Sequence, residues 1–172
     1  MNTGPFAIAT SVESTGDRTF HGSIAPRWDI AGNANGGYLL AIGARALIAA
    51  TERPDPVTVT GHYLSPGKPG PVDIVTQVVK EGKHFTTCNV VMRSRGRPLP
   101  SLLGTFGGLS EDAGSLLVDR SPPELPPAGD CLHLFSSDTF PPPFNARVEL
   151  HVHSEDASFA GAERNGIVRI RG

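Results

Sequence analysis

The hydrophobic positions change period once, early in the chain, and that change organises everything after it. Thr19 to Ile24 reads as a short opening strand. A loop carrying the lone tryptophan, Trp28, then leads to Asn33-Ala34-Asn35-Gly36-Gly37. From Gly37 to Thr51 the pattern is that of one helix: Leu39, Leu40, Ile42, Leu47 and Ile48 leave no polar face, and Arg45 is the only charge. A helix apolar all round is expected to be buried on most sides. Pro54 and Pro56 end it. The period then becomes two. Val57, Val59 and Gly61 alternate with Thr58, Thr60 and His62; a longer run starts at Val72 and Ile74 and ends near Val79; Cys88, Val90 and Met92 alternate with Thr87, Asn89 and Arg93. Glu81-Gly82-Lys83 supplies a hairpin turn, and Gly96 turns the chain into Leu99 to Leu109. One apolar helix followed by an antiparallel meander predicts an α+β domain in which a twisted sheet wraps around the helix, the hotdog layout. About fifteen helical residues at 1.5 Å rise give roughly 22 Å, a length suited to such a sheet.

Composition divides the rest of the 172 residues. Residues 111–145 are rich in Pro, Asp and Ser, with Pro122-Pro123, Pro126-Pro127 and Pro141-Pro142-Pro143, and read as a linker after a domain over 1–110. Strand character resumes in 146–172, at Arg147 to His153 and Gly166 to Arg171. A net charge of -2, with no run of Lys or Arg, supplies no long-range field for nucleic acid or an anionic membrane. The N-terminus lacks the basic start and apolar run of a secretory signal, and the stretch Tyr38 to Ala50 is too short to span a bilayer, so a cytoplasmic location is expected. Cys88 and Cys131 make neither a disulfide scaffold nor a zinc signature.

The most informative local feature is Asn35-Gly36-Gly37 at the start of the apolar helix. The first turn of a helix leaves N–H groups without intrahelical partners, and glycine allows a ligand close to that backbone. Such donors, at the positive end of the helix dipole, can hold the oxyanion that develops when a thioester is hydrolysed. The same residues equally suit a plain N-cap followed by a tight turn. His62 is a candidate base on the polar side of its strand, although a histidine there is more often hydrogen-bonded within the fold. Tyr38 in the first helical turn, and Tyr63 beside His62, are candidate substrate contacts. Lys83 and Arg93 belong to a scatter of basic residues, Lys80, Lys83, His84, Arg93, Arg95 and Arg97, that can meet phosphates, or can be a solvated hairpin end. His151 and His153 share one strand face with Glu149, but no third ligand stands at a sensible spacing, so no metal site is expected. No Gly-x-Ser-x-Gly elbow or phosphate loop is present.

Trp28, Asn35-Gly36-Gly37-Tyr38-Leu39 with Ala41 and Arg45-Ala46, His62-Tyr63-Leu64-Ser65-Pro66-Gly67, Gly70-Pro71-Val72 and Gly104-Thr105-Phe106-Gly107 together resemble the N-terminal half of TesB-like acyl-CoA thioesterases, the thioesterase II type. The resemblance covers about residues 15–110, and Phe144 to His153 resembles that family's entry into a second hotdog. It implies a double hotdog that hydrolyses acyl-CoA to free acid and coenzyme A, with coenzyme A as part of the substrate and no separate cofactor. In that family the acid, Thr and Gln that handle the attacking water belong to the second repeat. The chain ends at Gly172 without counterparts of them, so none is carried over. Residues 146–172 are therefore expected to be an incomplete start of a second hotdog. The alternative is a non-catalytic acyl-CoA or lipid-binding module. A hotdog hydratase ranks last, since Asp29 precedes the helix but no histidine follows it. A lone hotdog leaves a sheet edge open, which predicts a homodimer or higher oligomer through that edge.

Overall fold

A helix carrying five large aliphatic residues needs an apolar surface to lie on, and in the computed structural model that surface is one antiparallel sheet. The structure describes residues 4–108, 124–137, 140–158, 161, 166 and 168–171. They fall into two units, Met1–Ala113 and Gly114–Gly172.

In the first unit a short helix α1 (Pro5–Ala9) precedes strands β1 (Val12–Gly16) and β2 (Thr19–Ile24). A two-residue ladder, β3 (Asp29–Ile30) with β4 (Asn33–Ala34), then leads into helix α2 (Gly36–Thr51). Strands β5 (Asp55–Tyr63), β6 (Gly70–Glu81), β7 (Phe85–Ser94) and β8 (Arg97–Gly107) follow. The six long strands pair antiparallel in the order β1-β2-β6-β7-β8-β5. Three of the four strands after the helix thus form the expected meander. The fourth, β5, lies beyond β8 at the far edge, because α2 crosses the sheet between β2 and β5.

Helix α2 stops where Glu52 adopts a left-handed conformation (φ 54°) and donates its N–H to the Ile48 carbonyl at 3.0 Å, just ahead of Pro54. It buries Leu39, Ile42, Gly43, Ala46 and Leu47, whose spacing of three and four residues makes a single stripe. Arg45 and Ala49 are exposed, and Leu40, Ala41, Ala44 and Ile48 are half-buried. The helix is therefore covered on one side rather than all round, since one sheet supplies one face. That face carries the alternation read from the sequence: Val72, Ile74 and Thr76 on β6, Cys88, Val90 and Met92 on β7, and Leu102 and Phe106 on β8 are buried. Burial pushes the Cys88 thiol up to about 11, so it stays protonated and inert as a core residue.

The seam between helix and sheet closes at Gly43. A Cβ there would stand 2.4 Å from Leu102 Cδ1 and 3.1 Å from Met92 Sδ. Both neighbours are themselves fully buried and have nowhere to retreat.

In the second unit, β9 (Leu132–His133), β10 (His151–Val152) and β11 (Ile170–Arg171) form a small antiparallel sheet in the order β11-β10-β9. Short 3-10 turns cover Ala128–Asp130, Pro143–Ala146 and Ser154–Asp156. The strands are shorter than the sequence suggested. The described part of the stretch read as linker, residues 124–137 and 140–145, belongs to this unit; it contributes β9 and two of the turns. Proline enrichment there marks irregular backbone rather than a spacer, while residues 111–123 lie outside the described residues. Buried Asp156 holds this unit to its last strand: Arg169 Nε and Nη2 donate to its two oxygens at 2.8 and 3.0 Å, and the Arg169 backbone N–H adds a third bond at 2.8 Å.

Replacing Gly43 with valine inserts three carbons into the helix–sheet seam and is expected to destabilise the protein by about 1–3 kcal/mol, a typical overpacking cost. A lowered urea midpoint with an unchanged slope is the signature to look for.

Candidate functional site

Asn35 sets the geometry of the site by capping α2. Its backbone is extended (φ -56°, ψ 137°), its side-chain Oδ1 accepts from the Tyr38 N–H at 3.1 Å, and its carbonyl accepts from the Leu39 N–H at 3.1 Å. Its own N–H donates to the Trp28 carbonyl at 2.8 Å, fixing the chain's entry into the helix. Among the described residues the Gly36 and Gly37 amides, the first two of the helix, find no acceptor. Two donors thus remain at the positive end of a sixteen-residue helix.

Little room is left at this tip, and what crowds it at Gly36 is the half-exposed ring of Tyr63, which can give by a few tenths of an ångström. A Cβ on Gly37 would stand 3.2 Å from Asn35 Oδ1, against the capping bond, and one on Gly36 would stand 3.3 Å from the Tyr63 ring. Tyr63 lies across the tip and donates its hydroxyl to the Gly36 carbonyl at 2.9 Å. It reaches there because Gly61, two residues earlier on β5, faces Leu40 and Leu102 on the helix side of the sheet.

A cavity of about 320 Å³ opens beside this tip, lined by Ala34, Leu39, Tyr63, Leu64, Ser65, Pro66 and Gly67. The Ala34 N–H donates to the Gly67 carbonyl at 2.9 Å, and Lys68 Nζ donates to the Gly32 carbonyl at 2.7 Å, so the 64–68 loop is stitched to the segment before the helix. A smaller cavity of about 90 Å³ shares Pro66 and is lined by Lys68, Arg95, Arg97, Ser94, Pro69 and Leu99. Among the described residues the lining of the larger cavity is apolar apart from Tyr63, Ser65 and backbone, and contains no carboxylate or histidine.

Of the residues singled out from the sequence, the structure brings Asn35, Gly36, Gly37 and Tyr63 together. It separates the other four. Tyr38 is buried at 2% exposure and stacks on Trp28 with ring centroids 4.9 Å apart. Its hydroxyl donates to the Ala9 carbonyl at 2.8 Å and accepts from the Ala25 N–H at 2.9 Å, which makes it an anchor of the core rather than a pocket wall. Burial raises its pKa above that of an ordinary tyrosine, against the opposing effect of the Ala25 bond. His62 alternates with Gly61 and Tyr63 and so stands on the outer face of the sheet, exposed and turned from the helix tip. Arg93 is likewise on the outer face, alternating with buried Met92. Lys83 sits in the β6–β7 turn, at the opposite end of ten-residue β7 from Ser94 and Arg95, roughly 30 Å away. The cations that do gather near the tip are Lys68, Arg95 and Arg97. Lys68 lay next to the Ser65-Pro66-Gly67 motif in the sequence, but its partnership with Arg95 and Arg97 comes from the β6–β7 and β7–β8 pairings.

Residues 24–107 match the family model of the acyl-CoA thioesterase N-terminal domain. An uncharacterised protein of Mycobacterium tuberculosis is 29% identical over a 96-residue alignment that covers 52% of this chain and 33% of that one. A crystal structure from Thermobifida fusca, provisionally assigned as a thioesterase II, superposes with a TM-score of 0.79 at 25% identity, covering 90% of this chain and 56% of the other. A hotdog-fold protein of unknown function from Alicyclobacillus acidocaldarius gives 0.75 at 22% identity, covering 88% and 56%. The chain therefore spans about a third of the curated relative's length and a little over half of either solved structure. Fold, motif order and family match coincide over one segment: residues 24–107 form a hotdog domain that matches the acyl-CoA thioesterase N-terminal domain.

Proposed function

We propose that this chain binds acyl-CoA and hydrolyses its thioester at the tip of α2. The observation that carries the reading is the pair of uncommitted amides, Gly36 and Gly37, beside a cavity whose wall is mostly apolar. The thioester carbonyl oxygen accepts from these N–H groups. Water adds to the carbonyl carbon, the oxyanion is held by the same donors, and the C–S bond then breaks to release carboxylic acid and the coenzyme A thiol. Lys68, Arg95 and Arg97, one proline away, supply the positive charge that the coenzyme A phosphates need, and they favour coenzyme A over an uncharged thioester.

A non-catalytic acyl-CoA-binding module remains the second reading, and one observation favours it: among the described residues no carboxylate or histidine lines the cavity to activate water. Asn35, whose Oδ1 accepts from Tyr38, is a neutral amide and has no basic group to take a proton from water. Acyl-CoA binding without thiol release is the result that would select this reading.

We also propose that the chain works as a homodimer or higher oligomer joined through a sheet edge. Strands β1 and β5 are the edges of the sheet, β5 has Val57 and Tyr63 about half exposed, and one flank of α2 is only partly covered. No described helix is long and apolar enough to cross a membrane.

Gly36 occupies the first helical position, where proline is well tolerated and where the extended backbone of Asn35 suits a following proline. Gly36→Pro deletes one donor and is expected to lower kcat by about 10²–10³-fold. Gly36→Ala adds the same Cβ but keeps the N–H, and is expected to stay near wild type; equal losses in both would remove Gly36 from the oxyanion site. Arg95→Ala is expected to raise KM for acyl-CoA about two- to fivefold, as loss of a screened ionic contact does, and to leave KM for an acyl-pantetheine lacking the nucleotide phosphates unchanged. Light scattering at micromolar concentration should give at least twice the 18.1 kDa chain mass, and a stable monomer would rule out the edge pairing.

A further inference from the structure

The second unit holds a cluster that the thioesterase reading does not use. In the β9–β10 ladder His133 is the direct antiparallel partner of His151, which places the two side chains on one face a few ångströms apart. Glu149, two residues before His151 and just outside β10, reaches the same cluster, with Oε1 3.0 Å from His151 Nε2. One ligand atom from each of the three lies within 4.8 Å of the others. The sequence alone could not show this, because the third ligand comes from 16 residues before Glu149 through strand pairing.

Two further observations bear on the cluster. His151 Nδ1 is buried with no hydrogen-bond partner, while Nε2 of the same ring lies 3.0 Å from Glu149 Oε1. A buried ring nitrogen without a partner is costly and calls for an explanation such as an ion. A cavity of about 570 Å³, the largest described here, is lined by His133 and Glu149 together with Phe135, Asn145 and Arg147. His153, just after β10, is already engaged as the cap of the following turn: its Nδ1 accepts from the Glu155 N–H at 3.2 Å.

We propose that His133, Glu149 and His151 bind one divalent transition-metal ion of the zinc type, with one coordination position left open toward the adjoining cavity. Two imidazoles and a carboxylate are a donor set for zinc and its neighbours in the first row, whereas calcium and magnesium require mainly oxygen. Tetrahedral bonds of about 2.0–2.1 Å put ligand atoms roughly 3.4 Å apart, so the cluster closes by a little over 1 Å through side-chain rotation. The two imidazoles now stack at 4.6 Å with an interplanar angle of 13°. Because each lone pair lies in its ring plane, binding turns at least one ring out of that stack. The ion then clamps two strands of two residues each, a ladder too short to persist on its own pairing.

The test uses the untagged 172-residue chain, stripped with EDTA and desalted. Calorimetric titration with zinc chloride is expected to give one ion per chain, and cobalt(II) is expected to give the visible absorption of a four-coordinate site. His133→Ala and Glu149→Gln are each expected to weaken zinc binding at least about tenfold, the least that loss even of an outer-shell partner costs. His153→Ala and His62→Ala are expected to bind as the parent does. Far-UV circular dichroism checks that the variants fold, and His133 and His151 ring resonances should shift on zinc addition without needing any variant. Absence of stoichiometric zinc binding, affinity unchanged in His133→Ala and Glu149→Gln, or zinc-induced shifts confined to other histidines would each overturn the proposal.

Discussion

The contact between α2 and the inner face of the sheet is the constraint on which the first unit depends. Gly43 lets the helix backbone approach until Leu102 and Met92 touch it, and that closeness fixes the height of the helix over the sheet along its whole length. The tip then cannot extend into solvent; it ends beside β5 and the 64–68 loop, under Tyr63. A helix N-terminus in such a place has orphan amides to satisfy. Asn35 satisfies the Tyr38 amide with its side chain and the Leu39 amide with its backbone, and two remain. The chemistry proposed for this domain is thus a by-product of how its core is packed: a buried helix needs a sheet, the sheet sets the tip, and the tip is short of acceptors.

Much of this was legible in the residues because it is local. The hydrophobic pattern starts the helix at Gly37 and the structure starts it at Gly36; both end it at Thr51. Alternation placed Cys88, Val90 and Met92 inside and Arg93 outside, and the structure agrees. What eluded the sequence was nonlocal. The crossing of β5 to the far side of β8 cannot be seen in periodicity, which says which face a residue takes but not which strand lies next to it. His62 was correctly placed on the polar side of its strand, yet the helix tip proved to lie on the other face, so Tyr63 and not His62 reaches it. Register likewise gathers Arg95 and Arg97 with Lys68 and leaves Lys83 at the far end of the hairpin.

The second unit shows the same limit from the opposite direction. Its proline content pointed to a linker, and proline does restrict regular strands to short pieces, but two-residue pieces can still pair. Pairing of His133 with His151 is a fact of register with no trace in spacing. The Asp156–Arg169 fork, buried on the carboxylate side, shows how so small a unit finds cohesion in charge-assisted bonds when, among its described residues, full apolar burial is limited to Val152 and Ala157. The guanidinium, held by Asp156 and Glu155, has its pKa driven further up and stays charged at any accessible pH.

The enzymatic and binding readings are two ends of one scale, and the magnitudes show why. Removing an oxyanion donor costs an enzyme about 10²–10³ in rate, and a positioned general base contributes about 10²–10⁴. The helix tip beside the cavity offers the first kind of group, and the cavity's described lining does not offer the second. A site with donors alone would hold the thioester in a polarised state and hydrolyse it slowly with unassisted water, while the same site with a carboxylate brought to it would gain the missing factor without any change at Gly36 or Gly37. In the function proposed above, the helix tip is the electrophile-activating half of the site. Its competence as a catalyst depends on whether an acid from another element stands within hydrogen-bond reach of a water at the carbonyl carbon, a requirement of geometry that the packing of α2 neither meets nor prevents.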